Sequence, residues 1–387
     1  MRQRVSFAIF LGLAGWPLVA SAQQGGAPAP VVCFGTPQAA AAAAAAAQNP
    51  GRGRGGQGPA AAPATGVAPP APDVTITAIP GVIAGGLKWT QIWEALGNNA
   101  DGIVADKDGN VFIAQEELSA AIKIDKSDKA SVFVANTQGG GSFAIDRQGR
   151  LLAIRRTAAA GAANDNTPNA PPTGGVVQLA PQRKVLADTA ADGSPWVARP
   201  GDLAADDKGG AYFTQGCVYY GAANGKITLA ADDLRTNGIA LSPDYKVLYV
   251  TNGAAPGPGG RGGRGPGGPP GTIVAFDVQP DGTLKNRRTF ATLQTGNGDG
   301  SAVDAAGRLY VSVGTVIEVY APDGKFLGSI PTPGGVISVA LGGPNHKTLY
   351  AVVNGSVGPE GAIPGVVRTM RVSRIPTIAQ GVKNRGK

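Results

Sequence analysis

The chain has 387 residues and a formal net charge of +8, from 34 basic and 26 acidic side chains. Its only cysteines are Cys33 and Cys217 and its only histidine is His346, in a turn expected to be exposed. These counts exclude a Cys-x-x-Cys redox or zinc site and argue against a Ser-His-Asp triad or a histidine zinc centre. Much of the excess positive charge lies in Arg-Gly stretches at 52–54 and 261–264. Without interleaved aromatic residues these favour a solvated linker, so we expect no nucleic-acid partner.

The first 22 residues have the pattern of a secretory signal peptide. Arg2 and Arg4 precede an apolar run, and Ala20-Ser21-Ala22 is a small-x-small cleavage site. No later segment reaches about 20 continuous apolar residues, so we expect no membrane anchor after cleavage. The sequence therefore predicts a periplasmic or secreted protein.

Residues 23–80 are rich in alanine, proline and glycine, with an unbroken alanine run at 39–47. Such a composition cannot bury enough apolar side chain to offset the entropy of ordering, so we predict a disordered tether. Cys33 lies in this tether and Cys217 in the following domain, and we therefore do not expect them to form a disulfide.

Residues 81–387 contain six copies of a strand–turn–strand unit, spaced by about 40 or 60 residues. A period near 40 with several strands per unit predicts an all-β fold, a six-bladed β-propeller with four-stranded blades. We expect Lys88–Ala95 to complete the last blade, which would remove a free sheet edge. The acidic residues of the turns are expected to shape those turns rather than to bind ligands. They are Asp106, Asp146, Asp206 and Asp304.

Two insertions rich in glycine, proline and alanine, at 155–175 and 253–271, interrupt blades between the second and third strands. That connection lies on the face where the chain enters each inner strand. Long loops without structure are often lids or linkers. We interpret these insertions as segments that limit access rather than as sources of catalytic groups.

The six units place equivalent residues where the chain enters each inner strand, beside the central channel. We call these the ring positions: Asp101, Gly141, Gly201, Asn237, Asp299 and Ile337. Three of them carry side-chain oxygens, and each of those three is followed by glycine. Because ring positions converge on one axis, two carboxylates and an amide should meet at one end of the channel. Such hard oxygen ligands suit Ca²⁺, and less well Mg²⁺ or Mn²⁺. The alternative is that the three residues only shape Asx turns.

Several stretches resemble the gluconolactonase and regucalcin (senescence marker protein) family, in the family's order. They are Leu234–Asp244, Phe276–Phe290, Asp299–Asp304 and Ala340–Pro344. The similarity extends over roughly Leu96–Asn354. It implies a six-bladed propeller and metal-dependent hydrolysis of sugar lactones or other esters.

The resemblance also implies site residues. The family's metal is held by a glutamate in the first blade, the asparagine of an Asn-Gly motif and the aspartate of an Asp-Gly motif. These correspond to Asp101, Asn237 and Asp299, the same three residues that the ring positions select. The family's Arg-Pro-Asn-Asp motif corresponds to Arg199, Pro200, Gly201 and Asp202. The sequence thus departs from the family at Asp101, which is shorter than glutamate, and at Gly201, which lacks an amide that helps to hold substrate.

We therefore predict an exported hydrolase of a lactone or related ester with one divalent metal. Ca²⁺ is the first candidate, and Mg²⁺, Mn²⁺ or Zn²⁺ are alternatives. Asp299 is the predicted catalytic base as well as a ligand, and Arg199, Gly201 and Asp202 form the predicted substrate-binding side. The rival interpretation is a non-catalytic periplasmic propeller that binds a ligand or partner and keeps the metal for structure.

Overall fold

The computed structural model describes Cys33 and residues 65–156, 174–196, 200–254, 269–358, 360–383 and 386. The signal-peptide prediction, most of the tether, Arg199 and the central parts of both insertions lie outside these residues. Short β-strands dominate the described chain, with one 3₁₀ turn at Pro344–His346. No helix among these residues is long and apolar enough to span a membrane.

The strands alternate in sequence with tight turns, as the recurring apolar runs predict. They are β1 (Thr90–Leu96), β2 (Ile103–Ala105), β3 (Val111–Gln115), β4 (Ala120–Ile124), β5 (Ala130–Ala135), β6 (Phe143–Ile145), β7 (Leu151–Arg155), β8 (Gly175–Ala180), β9 (Lys184–Ala190), β10 (Leu203–Ala205), β11 (Ala211–Gly221), β12 (Gly225–Leu241), β13 (Val247–Asn252), β14 (Thr272–Val278), β15 (Leu284–Thr292), β16 (Gly298–Val303), β17 (Leu309–Val313), β18 (Val316–Tyr320), β19 (Phe326–Pro331), β20 (Gly335–Gly342), β21 (Thr348–Asn354), β22 (Val357–Gly358), β23 (Gly361–Ala362) and β24 (Thr369–Pro376).

The strands form propeller-like antiparallel sheets. Three four-stranded sheets have the orders β2-β3-β4-β5, β16-β17-β18-β19 and β20-β21-β24-β1. A ten-stranded sheet contains the runs β6 to β9 and β12 to β15, with β10 and β11 joined to β12. It is continuous because β9 and β12 pair in parallel. The inner strands contact one another in a closed cycle, from β2 through β6, β10, β12, β16 and β20 back to β2. The described chain is therefore an all-β, propeller-like fold.

The prediction that an N-terminal strand completes the last blade is confirmed. β1 pairs antiparallel with β24 from Thr90 opposite Arg374 to Leu96 opposite Thr369. β24 follows β21 in the same sheet, so the outermost strand of this blade comes from the other end of the domain. The pairing of β1 with β24 joins the N-terminal and C-terminal parts of the propeller.

The turns between the first and second strands of individual blades contain the aspartates that the sequence predicts to be turn formers. Asp106 Oδ1 accepts hydrogen bonds from the backbone N–H groups of Asp108 and Asn110, both at 2.9 Å. Asp146, Asp206 and Asp304 accept from the same two relative positions. The glycine that closes the turn has a positive φ, 85° at Gly109, which a side chain would disfavour. These aspartates are turn formers, as predicted.

Three sequence expectations differ from the structure. The tether prediction is wrong for residues 65–80, because Ile76 and Ile79 are 2% and 3% exposed in the core around the last two sheets. The average composition of residues 23–80 concealed these apolar residues. His346 is buried rather than exposed, with its Nε2 3.0 Å from the carbonyl oxygen of Lys107 in a neighbouring turn.

Cys33 and Cys217 form a disulfide, contrary to expectation. Both are buried, in a cluster that includes Trp196, Phe213 and Tyr219. The two cysteines are 184 residues apart in sequence, and no local pattern signals a pairing at that distance. Cys33 is thus joined to the propeller by a covalent bond.

Candidate active site

One cavity of about 290 Å³ opens where the chain enters the inner strands. Five of the residues predicted from the sequence line it: Asp101, Gly201, Asp202, Asn237 and Asp299. The sixth, Arg199, lies outside the described residues. The structure therefore brings together every predicted site residue that it describes.

The glycines next to the three candidate ligands explain how the inner strands come so close together. A Cβ on Gly102 would lie 2.8 Å from the Cα of Ser142 in the next inner strand. A Cβ on Gly300 would lie 2.7 Å from the carbonyl oxygen of Ile337. A Cβ on Gly238 would overlap the carbonyl oxygen of Asp299. None of the three has a positive φ. Glycine is needed here for close approach of neighbouring strands, not for turn geometry.

Arg156 is the principal residue of the cavity that the sequence did not predict. Its Nη1 lies 2.5 Å from Glu116 Oε2 and 3.5 Å from Asp101 Oδ2. Its Nε donates to the carbonyl oxygen of Pro200 at 2.8 Å, and its Nη2 to that of Gly201 at 3.2 Å. Burial disfavours the charged guanidinium, but Glu116 and Asp101 outweigh it, so the pKa of Arg156 is raised. The residue is a fixed, buried cation in the cavity wall.

The carboxyl group of Asp101 is electrostatically unusual. Burial raises its pKa from 3.8 to about 6, because water no longer stabilises the charged form. The positive charge of Arg156, and to a smaller extent that of Arg368, opposes this rise, whereas the negative charges of Glu116 and Asp202 add to it. A positive charge in the cavity would favour the ionised form of Asp101.

Asp202 is held by donors from three parts of the chain. Its Oδ1 accepts from the hydroxyl of Ser142 at 2.5 Å and from the backbone N–H of Leu203 at 2.9 Å, and its Oδ2 from the N–H of Ile239 at 3.1 Å. It is 6% exposed. These bonds connect the residue before β10 to Ser142, directly before β6, and to Ile239, near the end of β12. Substrate binding by Asp202 stays a prediction.

Two residues that line the cavity each have a buried side-chain oxygen without a hydrogen-bond partner among the described residues. They are Asn98 Oδ1 and Ser338 Oγ. Asn98 uses its Nδ2 to donate to Glu116 at 2.8 Å. Buried polar atoms are usually paired, so these two oxygens are exceptions in the wall of the cavity.

The candidate ligands fit a divalent cation that prefers oxygen. Asp101 and Asp299 supply carboxylates and Asn237 supplies an amide oxygen, all from residues that line one cavity. Within the described chain there is no group of three or more His, Cys, Asp or Glu residues placed to hold a metal. The candidate metal ligands therefore include the amide of Asn237 as well as the two carboxylates. One of those carboxylates, Asp101, also forms an ion pair with Arg156.

Residues 187–354 match the SMP-30/Gluconolactonase/LRE-like region. Lactonohydrolase oryH of Aspergillus oryzae is 33% identical over 155 residues, which cover 37% of this chain and 33% of that protein. A gluconolactonase of Zymomonas mobilis is 29% identical over 143 residues, which cover 34% of this chain and 36% of that protein. Each match thus spans about a third of the length of the curated relative.

The fold is similar to that of the calcium-binding protein regucalcin from Agrobacterium tumefaciens. The TM-score is 0.52 at 15% identity, with 75% of this chain and 94% of that chain covered. This likeness agrees with the propeller-like sheets. Residues 187–354, which contain Gly201, Asp202, Asn237 and Asp299, are thus similar to the SMP-30/gluconolactonase/LRE-like region.

Proposed function

We propose that the protein hydrolyses a lactone or a related ester, and that substrate binds in the cavity. The observation that carries the proposal is the convergence of Asp101, Asn237 and Asp299 on one cavity. The lactonohydrolase and gluconolactonase relatives support the same reaction class. The substrate would be a small molecule, because the volume of the cavity is about 290 Å³.

In this proposal Asp101, Asn237 and Asp299 hold one divalent metal ion, with Ca²⁺ as the first candidate and Mg²⁺, Mn²⁺ or Zn²⁺ as alternatives. The similar fold of a calcium-binding protein supports this choice. When bound, such an ion would polarise the lactone carbonyl and offset the negative charge that develops on its oxygen. Asp299 would also accept the proton of the attacking water. Arg199 would bind the polar end of the substrate, and Gly201 would leave room for a group other than a sugar.

We further propose that the propeller has six blades and that the protein is exported. The closed cycle of inner strands supports six blades. The signal-peptide pattern in residues 1–22 supports export. The Cys33–Cys217 disulfide also supports it, because disulfides persist mainly in oxidising compartments.

Hydrolysis of a lactone panel tests the proposal. Chelator-treated protein is assayed with a pH indicator on glucono-, xylono- and aliphatic lactones and a phenyl ester, with each candidate metal added back. The expected result is turnover that one metal restores and that Asp299→Asn removes. The matched control is Asp323→Asn, since Asp323 is an exposed turn residue whose Oδ1 accepts a bond from Lys325 N–H. Turnover that Asp299→Asn leaves unchanged would overturn the proposed mechanism.

A further inference from the structure

Arg156 occupies the part of the ring where two blades carry glycine. A Cβ on Gly141 would overlap the guanidinium of Arg156, and the carbonyl of Gly201 accepts a hydrogen bond from it. Arg156 is the first residue after β7, and its side chain reaches back over the start of the neighbouring inner strand. The guanidinium of Arg156 thus fills the space that a side chain at Gly141 would take, contacts the backbone at Gly201 and supplies a positive charge there.

The hydrogen bonds of Arg156 leave little capacity for substrate. A guanidinium has five N–H donors, one on Nε and two on each Nη. Four acceptors surround the group: a carboxylate oxygen each from Glu116 and Asp101, and the carbonyl oxygens of Pro200 and Gly201. The side chain is 10% exposed and is held in place by these acceptors. Its action is on the residues around it, and above all on the charge of Asp101.

The geometry points to Arg156 as a built-in counter-cation, which competes with a divalent ion for Asp101 and so weakens metal binding in the cavity. This inference rests on the proposed metal site at Asp101, Asn237 and Asp299. Two cations that share one carboxylate repel each other, and in a partly buried site water and salt screen that repulsion only weakly. Glu116 moderates the competition, because it draws the guanidinium away from Asp101: the Arg156–Glu116 distance is 2.5 Å and the Arg156–Asp101 distance 3.5 Å.

The inference makes opposite predictions for the two members of the ion pair. Arg156→Met removes the competing cation and leaves both carboxylates available, so it should tighten Ca²⁺ binding by about tenfold or more. Glu116→Gln removes a negative charge and leaves Asp101 as the remaining carboxylate beside Arg156, so it should weaken Ca²⁺ binding. A purely structural role for Arg156 would weaken binding in both variants, because both would loosen the cavity wall.

The test is calorimetric titration of Ca²⁺ into the chelator-treated full-length protein, with thermal unfolding of each variant with and without Ca²⁺. Arg155→Met is the matched control. Arg155 is an adjacent buried arginine whose Nη2 lies 3.2 Å from Asp188, and it does not line the cavity. It should bind Ca²⁺ as the unmodified protein does. Arg156→Met should also show the largest rise in unfolding temperature when Ca²⁺ is added.

Each outcome decides between the inference and the metal site beneath it. Unchanged or weaker Ca²⁺ binding by folded Arg156→Met, with normal binding by the unmodified protein, overturns the inference and leaves the metal site standing. Binding by Arg156→Met alone supports the inference and removes the metal from the proposed function. If Arg156→Met does not fold, Arg156→Gln, which also removes the charge, takes its place: tighter Ca²⁺ binding by this variant supports the inference, and unchanged or weaker binding overturns it. If no protein binds Ca²⁺, both proposals fail.

Discussion

The two faces of the propeller use aspartate for opposite purposes. One face carries the turns between the first and second strands of each blade. There Asp304 is fully buried and accepts hydrogen bonds from two backbone N–H groups of its turn. It also accepts from the side chains of Arg308, at 2.6 Å, and Tyr310, at 3.0 Å. On the cavity face, Asp101 and Asp299 are only partly buried and line a space large enough for a small molecule. Asp304 and its equivalents complete the turns in which they lie, whereas the cavity aspartates are arranged around a space.

The place of the nearest glycine after each aspartate explains the difference. In the turns, a glycine three residues after the aspartate closes the turn and points backbone N–H groups at the carboxylate. In the cavity, a glycine directly after the aspartate lets the neighbouring inner strand approach. The position of one glycine therefore separates a structural carboxylate from a candidate ligand.

The largest expected effect is on activity, at Asp299. Asp299→Asn keeps the size of the side chain but removes its basicity and charge, so kcat for lactone hydrolysis should fall by about 10²- to 10⁴-fold. The unfolding temperature should change little, because Asp299 is partly exposed. Steady-state kinetics with a restored metal, alongside thermal unfolding, measure both. A large loss of stability with a normal kcat would show that Asp299 has the structural role assigned here to the turn aspartates, and would contradict the comparison.

Asp304 should show the converse. Asp304→Ala removes the carboxylate that accepts hydrogen bonds from Arg308 and Tyr310, and it leaves two backbone N–H groups of the turn unpaired. It should therefore lower the free energy of unfolding by about 3 kcal/mol or more. Activity per folded molecule should be unchanged, since Asp304 does not line the cavity. Urea denaturation gives the stability and active-site titration corrects the rate. Asp304→Asn, which keeps an acceptor for the turn, should lose less stability.

The cavity face has a further constraint in the Cys33–Cys217 disulfide. The carbonyl oxygen of Cys217 accepts a bond from Thr236 Oγ1 at 3.1 Å, and Thr236 precedes the candidate ligand Asn237. Cys33→Ser should reduce the free energy of unfolding by about 2–5 kcal/mol, because the bond closes a long loop in the unfolded chain. Thermal unfolding under oxidising conditions measures this. The matched control is the same variant compared with the unmodified protein after reduction, when the difference should disappear.

The sequence predicts the repeating parts of the fold well and the exceptions poorly. β14 and β18 belong to these repeating parts, because each is an apolar run that an Asp-Gly turn separates from the next strand. Repeat alignment likewise selects Asp101, Asn237 and Asp299, because equivalent positions in a ring meet on its axis. These inferences need only local pattern and period.

Arg156 and Glu116 were missed because neither stands at a ring position, and their pairing depends on how two blades pack. Gly141 was the available signal: a ring position without a side chain makes room for a group from elsewhere. The disulfide and the burial of Ile76 and Ile79 were missed for a related reason. Contacts made once, between segments distant in sequence, leave no period to detect.

The smallest expected effect on stability comes from replacing one of the glycines that let neighbouring inner strands approach each other. Gly238→Ala places a methyl group against the carbonyl oxygen of Asp299, so the two inner strands must move apart. The free energy of unfolding should fall by about 1–3 kcal/mol, the usual cost of overpacking. Activity should fall as well, because the displaced backbone carries Asp299. Gly358→Ala is the control, since nothing lies within 4 Å of its added Cβ. If Gly238→Ala lowers stability and leaves both kcat and KM unchanged, the glycine serves packing alone and the spacing of the cavity aspartates does not depend on it.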